Sequence, residues 1–184
     1  MSWRFVPLAN ARPQPWKNGG GTTRELLALP EGSDWQLRIS VAQVERAGPF
    51  SSFPGVARWF AVLAGAGVRL RVGTEDHVLN TRSQPLEFNG AALTHCTLVD
   101  GATQDFNLMV RDARQSRMVR VVDGMQERCE AGSVVAAYSA TPVTVSFGAE
   151  QIELPADTLA WCTPESRTAV AFEGQGGLWM EVAP

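Results

Sequence analysis

Trp35-Gln36-Leu37-Arg38-Ile39-Ser40-Val41 is the stretch that decides the fold class. Trp35, Leu37, Ile39 and Val41 alternate with Gln36, Arg38 and Ser40, and a period of two places the apolar set on one face of a half-buried strand. Val68-Arg69-Leu70-Arg71-Val72 repeats the pattern. Working outward, further β-rich segments are expected at 22–29, 56–63, 76–79, 93–99, 105–111, 118–122, 133–138, 143–147, 152–154, 158–162, 168–172 and 178–182, with turns at Gly65-Ala66-Gly67, Asp100-Gly101 and Asp123-Gly124 between some of them. No long segment keeps a helical i, i+3, i+4, i+7 stripe. Many short strands cut by turn residues mean an all-β sandwich or barrel. From about Gln115 the texture repeats in simpler form, which suggests two stacked β-barrels; one large sandwich is the alternative that periodicity leaves open.

Composition narrows the function classes. The chain has 184 residues, 45% of them hydrophobic and 19% charged, as expected of a globular protein. A formal net charge of -3 argues against a nucleic-acid binder, which usually carries a basic face. The longest apolar stretch, Phe60–Val68, is far short of the ~18 residues a membrane helix needs. Residues 1–15 show no apolar core of a secretory signal, so a cytoplasmic location is expected. Cys96, Cys129 and Cys162 form no C-x-x-C pair, which suits a reducing compartment and speaks against structural zinc. Of sixteen basic residues only Lys17 is a lysine. GC-rich coding accounts for the arginines, but not for the position of the exception.

Lys17 lies in the first of three unusual clusters, Pro15-Trp16-Lys17-Asn18-Gly19-Gly20-Gly21-Thr22-Thr23-Arg24-Glu25. Three glycines let backbone approach a ligand closely or turn sharply; a plain bend into a strand is the alternative. No G-K-[ST] follows, so this is no phosphate-binding P-loop. The second cluster, Gly48-Pro49-Phe50-Ser51-Ser52-Phe53-Pro54-Gly55, is a stiff loop whose aromatics can wall a pocket or tuck onto the core. Arg58 follows within an apolar strand, so it points outward or is buried with a partner. In the third cluster, Asp105, Asn107 and Arg111 share one face of a strand and Phe106, Leu108 and Val110 the other. That polar face can hold a small ligand or face water.

Metal and nucleophile chemistry find little support. The two histidines, His77 and His95, lie in separate segments with no ligand at i+2 or i+4. No G-x-S-x-G elbow is present.

The three clusters in this order, with Trp35…Arg38-Ile39-Ser40-Val41-Ala42 between the first two, resemble the HutD/Ves family over about residues 12–111. One departure is Ala57, where the family pattern usually has an acidic residue before the arginine. The resemblance implies an all-β cupin fold (a double-stranded β-helix) with two barrels in one chain: residues 1–112 carrying the ligand pocket, and a smaller barrel at 113–184. It also implies a regulator of bacterial histidine utilisation that binds a small anionic metabolite. N-formyl-L-glutamate, another formate-like group and urocanate are the candidates. Metal-dependent cupins use an H-x-H set that this chain lacks, so no metal or other cofactor is expected. The expected ligand-binding residues are Trp16, Lys17, Asn18, Gly20, Ser40, Phe53, Arg58, Asp105 and Asn107. Lys17 and Arg58 would neutralise carboxylate, Asn18, Ser40 and Asn107 would hydrogen-bond, Trp16 and Phe53 would exclude water, and Asp105 would orient a cation or donor. Arg38 joins them only if its face points inward. No catalytic residue is expected on this reading. The rival is a metal-independent cupin isomerase, epimerase or hydrolase using Glu25, Asp105 or His95 as base. A third reading is a structural or partner-binding protein. A homodimer is a possible assembly, since cupin barrels often pair edge to edge.

Overall fold

The computed structural model describes residues 2–111 and 114–184. Among the described residues, nineteen strands carry almost all of the regular structure. In chain order they are β1 (Arg4–Pro7), β2 (Pro13–Pro15), β3 (Gly21–Leu29), β4 (Leu37–Val44), β5 (Gly48–Pro49), β6 (Val56–Ala64), β7 (Val68–Val72), β8 (Glu75–Leu79), β9 (Leu86–Asn89), β10 (Thr94–Leu98), β11 (Thr103–Arg111), β12 (Ser116–Arg120), β13 (Gln126–Cys129), β14 (Val134–Ser139), β15 (Val143–Phe147), β16 (Glu150–Leu154), β17 (Thr158–Cys162), β18 (Thr168–Glu173) and β19 (Leu178–Val182). One 3-10 turn, Leu8–Asn10, follows β1. Among the described residues, no helix is long and apolar enough to cross a membrane.

The strands divide between two compact units, Ala11–Ala113 and Met1–Asn10 with Arg114–Pro184. In the first, a six-stranded sheet (order β2-β3-β4-β11-β6-β9) is joined by a four-stranded sheet (β5-β10-β7-β8). Val44, Phe60 and Val62 from the larger sheet pack with Val68, Leu70 and Cys96 from the smaller one, closing a barrel over an apolar floor. In the second unit a five-stranded sheet (β1-β17-β14-β19-β12) and a four-stranded sheet (β13-β18-β15-β16) enclose a core. Phe147, Phe172 and Trp179 are among the residues that fill it. All pairings are antiparallel.

Two boundaries differ from the sequence reading. The first ten residues belong with the C-terminal barrel, because Arg4–Pro7 adds to the outer edge of β17, opposite Thr158–Trp161. Residues 112 and 113, where the expected division falls, lie outside the described residues. The strand read from Trp35 starts instead at Leu37 and runs to Val44. Trp35 breaks the alternation. It precedes the strand and packs with Ala28, Val56 and Met109, while Leu37, Ile39 and Val41 lie on the face opposite Arg38, Ser40 and Ala42.

The register of the large sheet positions the candidate site. β4 and β6 flank β11 on either side, so Arg38 and Arg58 both lie opposite Met109. One level further along β11, Ser40 and Phe60 lie opposite Asn107, and the next level holds Ala42, Asp105 and Val62. A bulge in β3 between Glu25 and Leu27 sets Glu25 beside Ser40 and Ala28 beside Arg38.

Candidate functional site

A cavity of about 620 Å³ opens onto this face of the first barrel, within the usual range for small-molecule sites. Its lining includes Trp16, Lys17, Asn18, Ser40, Phe53, Arg58 and Asn107, so seven of the nine residues expected from the sequence meet here. Gly20 and Asp105 do not line it. Lys17, Arg38 and Arg58 are its basic residues, and no acidic side chain is among the lining.

The glycine cluster is the loop of the β2–β3 hairpin. Pro15 pairs with Thr22, and the Trp16 amide donates to the Gly21 carbonyl at 2.9 Å. Lys17 and Asn18 stand exposed at its tip. Gly20 and Gly21 are tied into the chain. The Gly20 amide donates to Asn18 Oδ1 at 3.0 Å, and its carbonyl accepts from the Glu45 and Arg46 amides. A Cβ on Gly21 would lie 2.1 Å from the Gln43 carbonyl oxygen, so only glycine permits this approach of β3 to β4. Trp16 is fixed by its indole Nε1, which donates to Thr23 Oγ1 at 2.7 Å.

Arg58 is the centre of the site. It is 7% exposed, and no carboxylate pairs with it among the described residues. Its guanidinium carbon sits 4.7 Å from the Phe50 ring centroid, 5.4 Å from Phe88 and 5.9 Å from Phe53. Nη2 donates to Asn107 Oδ1 at 2.9 Å, while Nε is buried without a partner. Burial, then the nearby Arg38 charge, lowers its pKa to about 10, so it stays cationic at neutral pH. The guanidinium is thus caged by rings and lines the cavity with its charge unpaired by any carboxylate among the described residues. The departure at Ala57 has no direct bearing on this cage. Residue 57 lies on the opposite face of β6 from Arg58, so an acid there would not project into the pocket beside the guanidinium.

Arg38 points inward and lines the cavity, which settles the face left open by the sequence. Its Nε donates to Glu25 Oε2 at 2.6 Å. Ser40 is buried at the cavity wall next to Asn107. Asp105 lies deeper, fully buried, with Oδ2 accepting from the Thr103 hydroxyl at 2.8 Å and Oδ1 without a partner. Burial pushes its carboxyl up to about 7, opposed by the Thr103 hydrogen bond. His95 is exposed on the outer face of β10. Of the rival's candidate bases, then, Glu25 holds an arginine, Asp105 is fully buried and does not line the cavity, and His95 is exposed outside it. Arg111 shares the Met109 face and stacks on Trp35, 4.6 Å from its ring centroid.

Sequence reasoning missed Phe88 as part of the site and left Phe50 without a stated role there. Phe50 stood in a cluster already singled out. Phe88 carried no signal, because its role depends on pairing with Arg58 across β6 and β9. Among the described residues, no three of His, Cys, Asp or Glu cluster so as to hold a metal ion.

The family model described as HutD matches residues 8–180. A Pseudomonas putida protein described as an uncharacterized 21.2 kDa protein in the hutC 3' region is 34% identical over 76% of this chain and 75% of its own length. Protein Ves of Citrobacter koseri is 40% identical over 59% of this chain, a match spanning 58% of Ves. Among solved structures, HutD from Pseudomonas fluorescens SBW25, determined in a formate condition, superposes with a TM-score of 0.84 at 26% identity. That alignment covers 99% of this chain and 98% of the other. A salicylate 1,2-dioxygenase from Pseudoaminobacter salicylatoxidans shares only the cupin fold, with a TM-score of 0.64 at 10% identity over 98% of this chain and 81% of that one.

Proposed function

Because this chain belongs to the HutD family, whose name ties it to histidine utilisation, we propose that it binds a small carboxylate metabolite of that pathway in its first barrel and acts as a regulator through that binding. Arg58 is the observation that carries this reading. Holding a guanidinium out of water costs several kcal/mol unless charge and hydrogen bonds compensate, and here they are incomplete: one amide oxygen, three ring faces and an idle Nε. A bound carboxylate completes the set. Asn107 and Ser40 stand beside Arg58 to receive the polar remainder of the ligand, and Trp16 and Phe53 keep water away, which strengthens each contact. N-formyl-L-glutamate and urocanate are the candidate ligands.

Calorimetric titration of the protein with N-formyl-L-glutamate and with urocanate tests the proposal. Binding is expected for at least one acid and is lost in Arg58→Met, whose unbranched apolar chain still fits among the phenylalanines. Absence of heat for both acids, confirmed at low ionic strength, would refute it.

A further inference from the structure

Three rings surround the Arg58 guanidinium, and they are not held alike. Phe88 belongs to the core of the barrel, and Phe50 packs against that core with its ring centroid 5.8 Å from that of Phe60. Phe53 does not join it. Half-buried on its loop, Phe53 packs instead on a small separate cluster of Trp35, Ala28, Val56 and Met109, its ring centroid 6.4 Å from that of Trp35. The third wall of the cage is therefore only as well placed as Trp35.

Trp35 in turn has a cover. The residue after it ties two strand ends together. The Gln36 amide donates to the Leu29 carbonyl of β3 at 2.7 Å, and the Gln36 carbonyl accepts from the Arg111 amide of β11 at 2.8 Å. Arg111 is the last residue of β11, one level beyond Met109 on the same face. Its guanidinium carbon lies 4.6 Å from the Trp35 ring centroid. No carboxylate pairs with it among the described residues, and its Nε is buried without an acceptor. An arginine that merely ended a strand would extend its head into water, where every N–H is satisfied. Arg111 instead gives up the hydration of Nε to lie over the indole, an arrangement that suits a flat guanidinium better than an ammonium. The contacts run in one line from Arg111 to Trp35, to Phe53, to Arg58.

We propose that Arg111 is a positioning residue of the cavity in the first barrel: lying over Trp35, it keeps that indole, and through it the Phe53 ring, against the Arg58 guanidinium. Its effect on binding rests on the carboxylate reading above; its effect on the cage does not. Arg111 itself touches no ligand, since it does not line the cavity.

Two readouts test this, one of them independent of any ligand. In nitrogen-15 NMR of the free protein, Arg111→Met is expected to move the Arg58 Nε–H resonance, because the Phe53 ring changes its place beside the guanidinium. In calorimetric titration with N-formyl-L-glutamate and with urocanate, the same variant is expected to weaken binding roughly two- to tenfold, the worth of a partly desolvated stacking contact. Both effects are expected to vanish in a Phe53→Leu background, where there is no ring left to position. A cation acting only through its long-range charge would give the same loss with or without Phe53. Melting temperatures check that the variants fold; if Arg111→Met melts early, the smaller change Arg111→Lys carries the same cycle. An Arg58 resonance unmoved by the substitution, or effects of equal size in the Phe53→Leu background, overturns the positioning role. A parent that binds neither acid overturns the carboxylate reading instead, and the Arg58 resonance of the free protein still decides the role of Arg111.

Discussion

Replacing Asp105 with asparagine tests how the floor beneath the cavity is built. The carboxyl is fully buried, accepts a single hydrogen bond from Thr103 and leaves Oδ1 unpaired. Burial raises it from 3.8 to about 7. A tenfold change in proton affinity is worth about 1.4 kcal/mol, so ionising this group costs the folded state on the order of 4 kcal/mol. The folded protein binds the proton more tightly than the unfolded chain, so stability is greatest in acid. It falls as pH rises from about 4 to about 7 and is level above that. Asparagine keeps an acceptor for Thr103 but cannot ionise. Its amide NH2 inherits the unpaired position at a cost of about 1–3 kcal/mol at every pH. Urea denaturation of parent and variant at pH 4 and pH 8 isolates the effect, because every other titrating group is common to both. The stability difference should move toward the variant by about 3–4 kcal/mol across that range. A difference that stays constant with pH would refute the reasoning.

Other perturbations probe the parts of the site separately. Lys17 is exposed at the loop tip, so Lys17→Ala should weaken acid binding less than tenfold, and the loss should shrink as salt is raised; calorimetry at two ionic strengths measures it. On Gly90 a Cβ would stand 2.7 Å from the Phe53 carbonyl oxygen and 2.9 Å from that of Val56. Gly90→Ala should therefore shift the loop that cages Arg58, destabilise the protein by about 1–3 kcal/mol in thermal melts and lower ligand affinity as well. Gly21→Ala should be worse, since its Cβ would overlap the backbone of β4, and a melting temperature equal to the parent's would show that the hairpin can move aside.

What was legible in the sequence follows a physical division. Strands in the interior of a sheet announce themselves by apolar alternation, as in β4, or by a continuous apolar run, as in β14. The five unforeseen strands, β1, β2, β5, β9 and β13, all lie at sheet edges. An edge strand pairs on one side only and needs less apolar surface. β2 is Pro-Gln-Pro and β13 is Gln-Glu-Arg-Cys, neither of which carries a pattern to read. Prolines are tolerated in β2 because it is an edge. Trp35 misled for another reason: it continues the alternation in the sequence, but the chain bends before Leu37 and the ring swings to the Met109 side. The site was half visible. Residues in conspicuous loops, Lys17 and Phe53, could be named, and so could Arg58 as a charge inside an apolar run. Partners set by register could not. Phe88 meets Arg58 across two strands, and Glu25 meets Arg38 only because of a bulge. Asp105 shares its strand face with Asn107, as period two requires, but it is fully buried against Thr103 and does not line the cavity, although Ala42 at the same level does.

The central claim is that the Arg58 guanidinium, where it lines the cavity, receives the ligand's carboxylate. Its side-chain Nε–H resonance, assigned by its disappearance in Arg58→Lys, reports on that directly in a nitrogen-15 NMR titration with N-formyl-L-glutamate. The account predicts a large, saturable shift of the Arg58 signal with little movement of Arg120, which lies in the other barrel. Heat of binding accompanied by an unmoved Arg58 signal would contradict it.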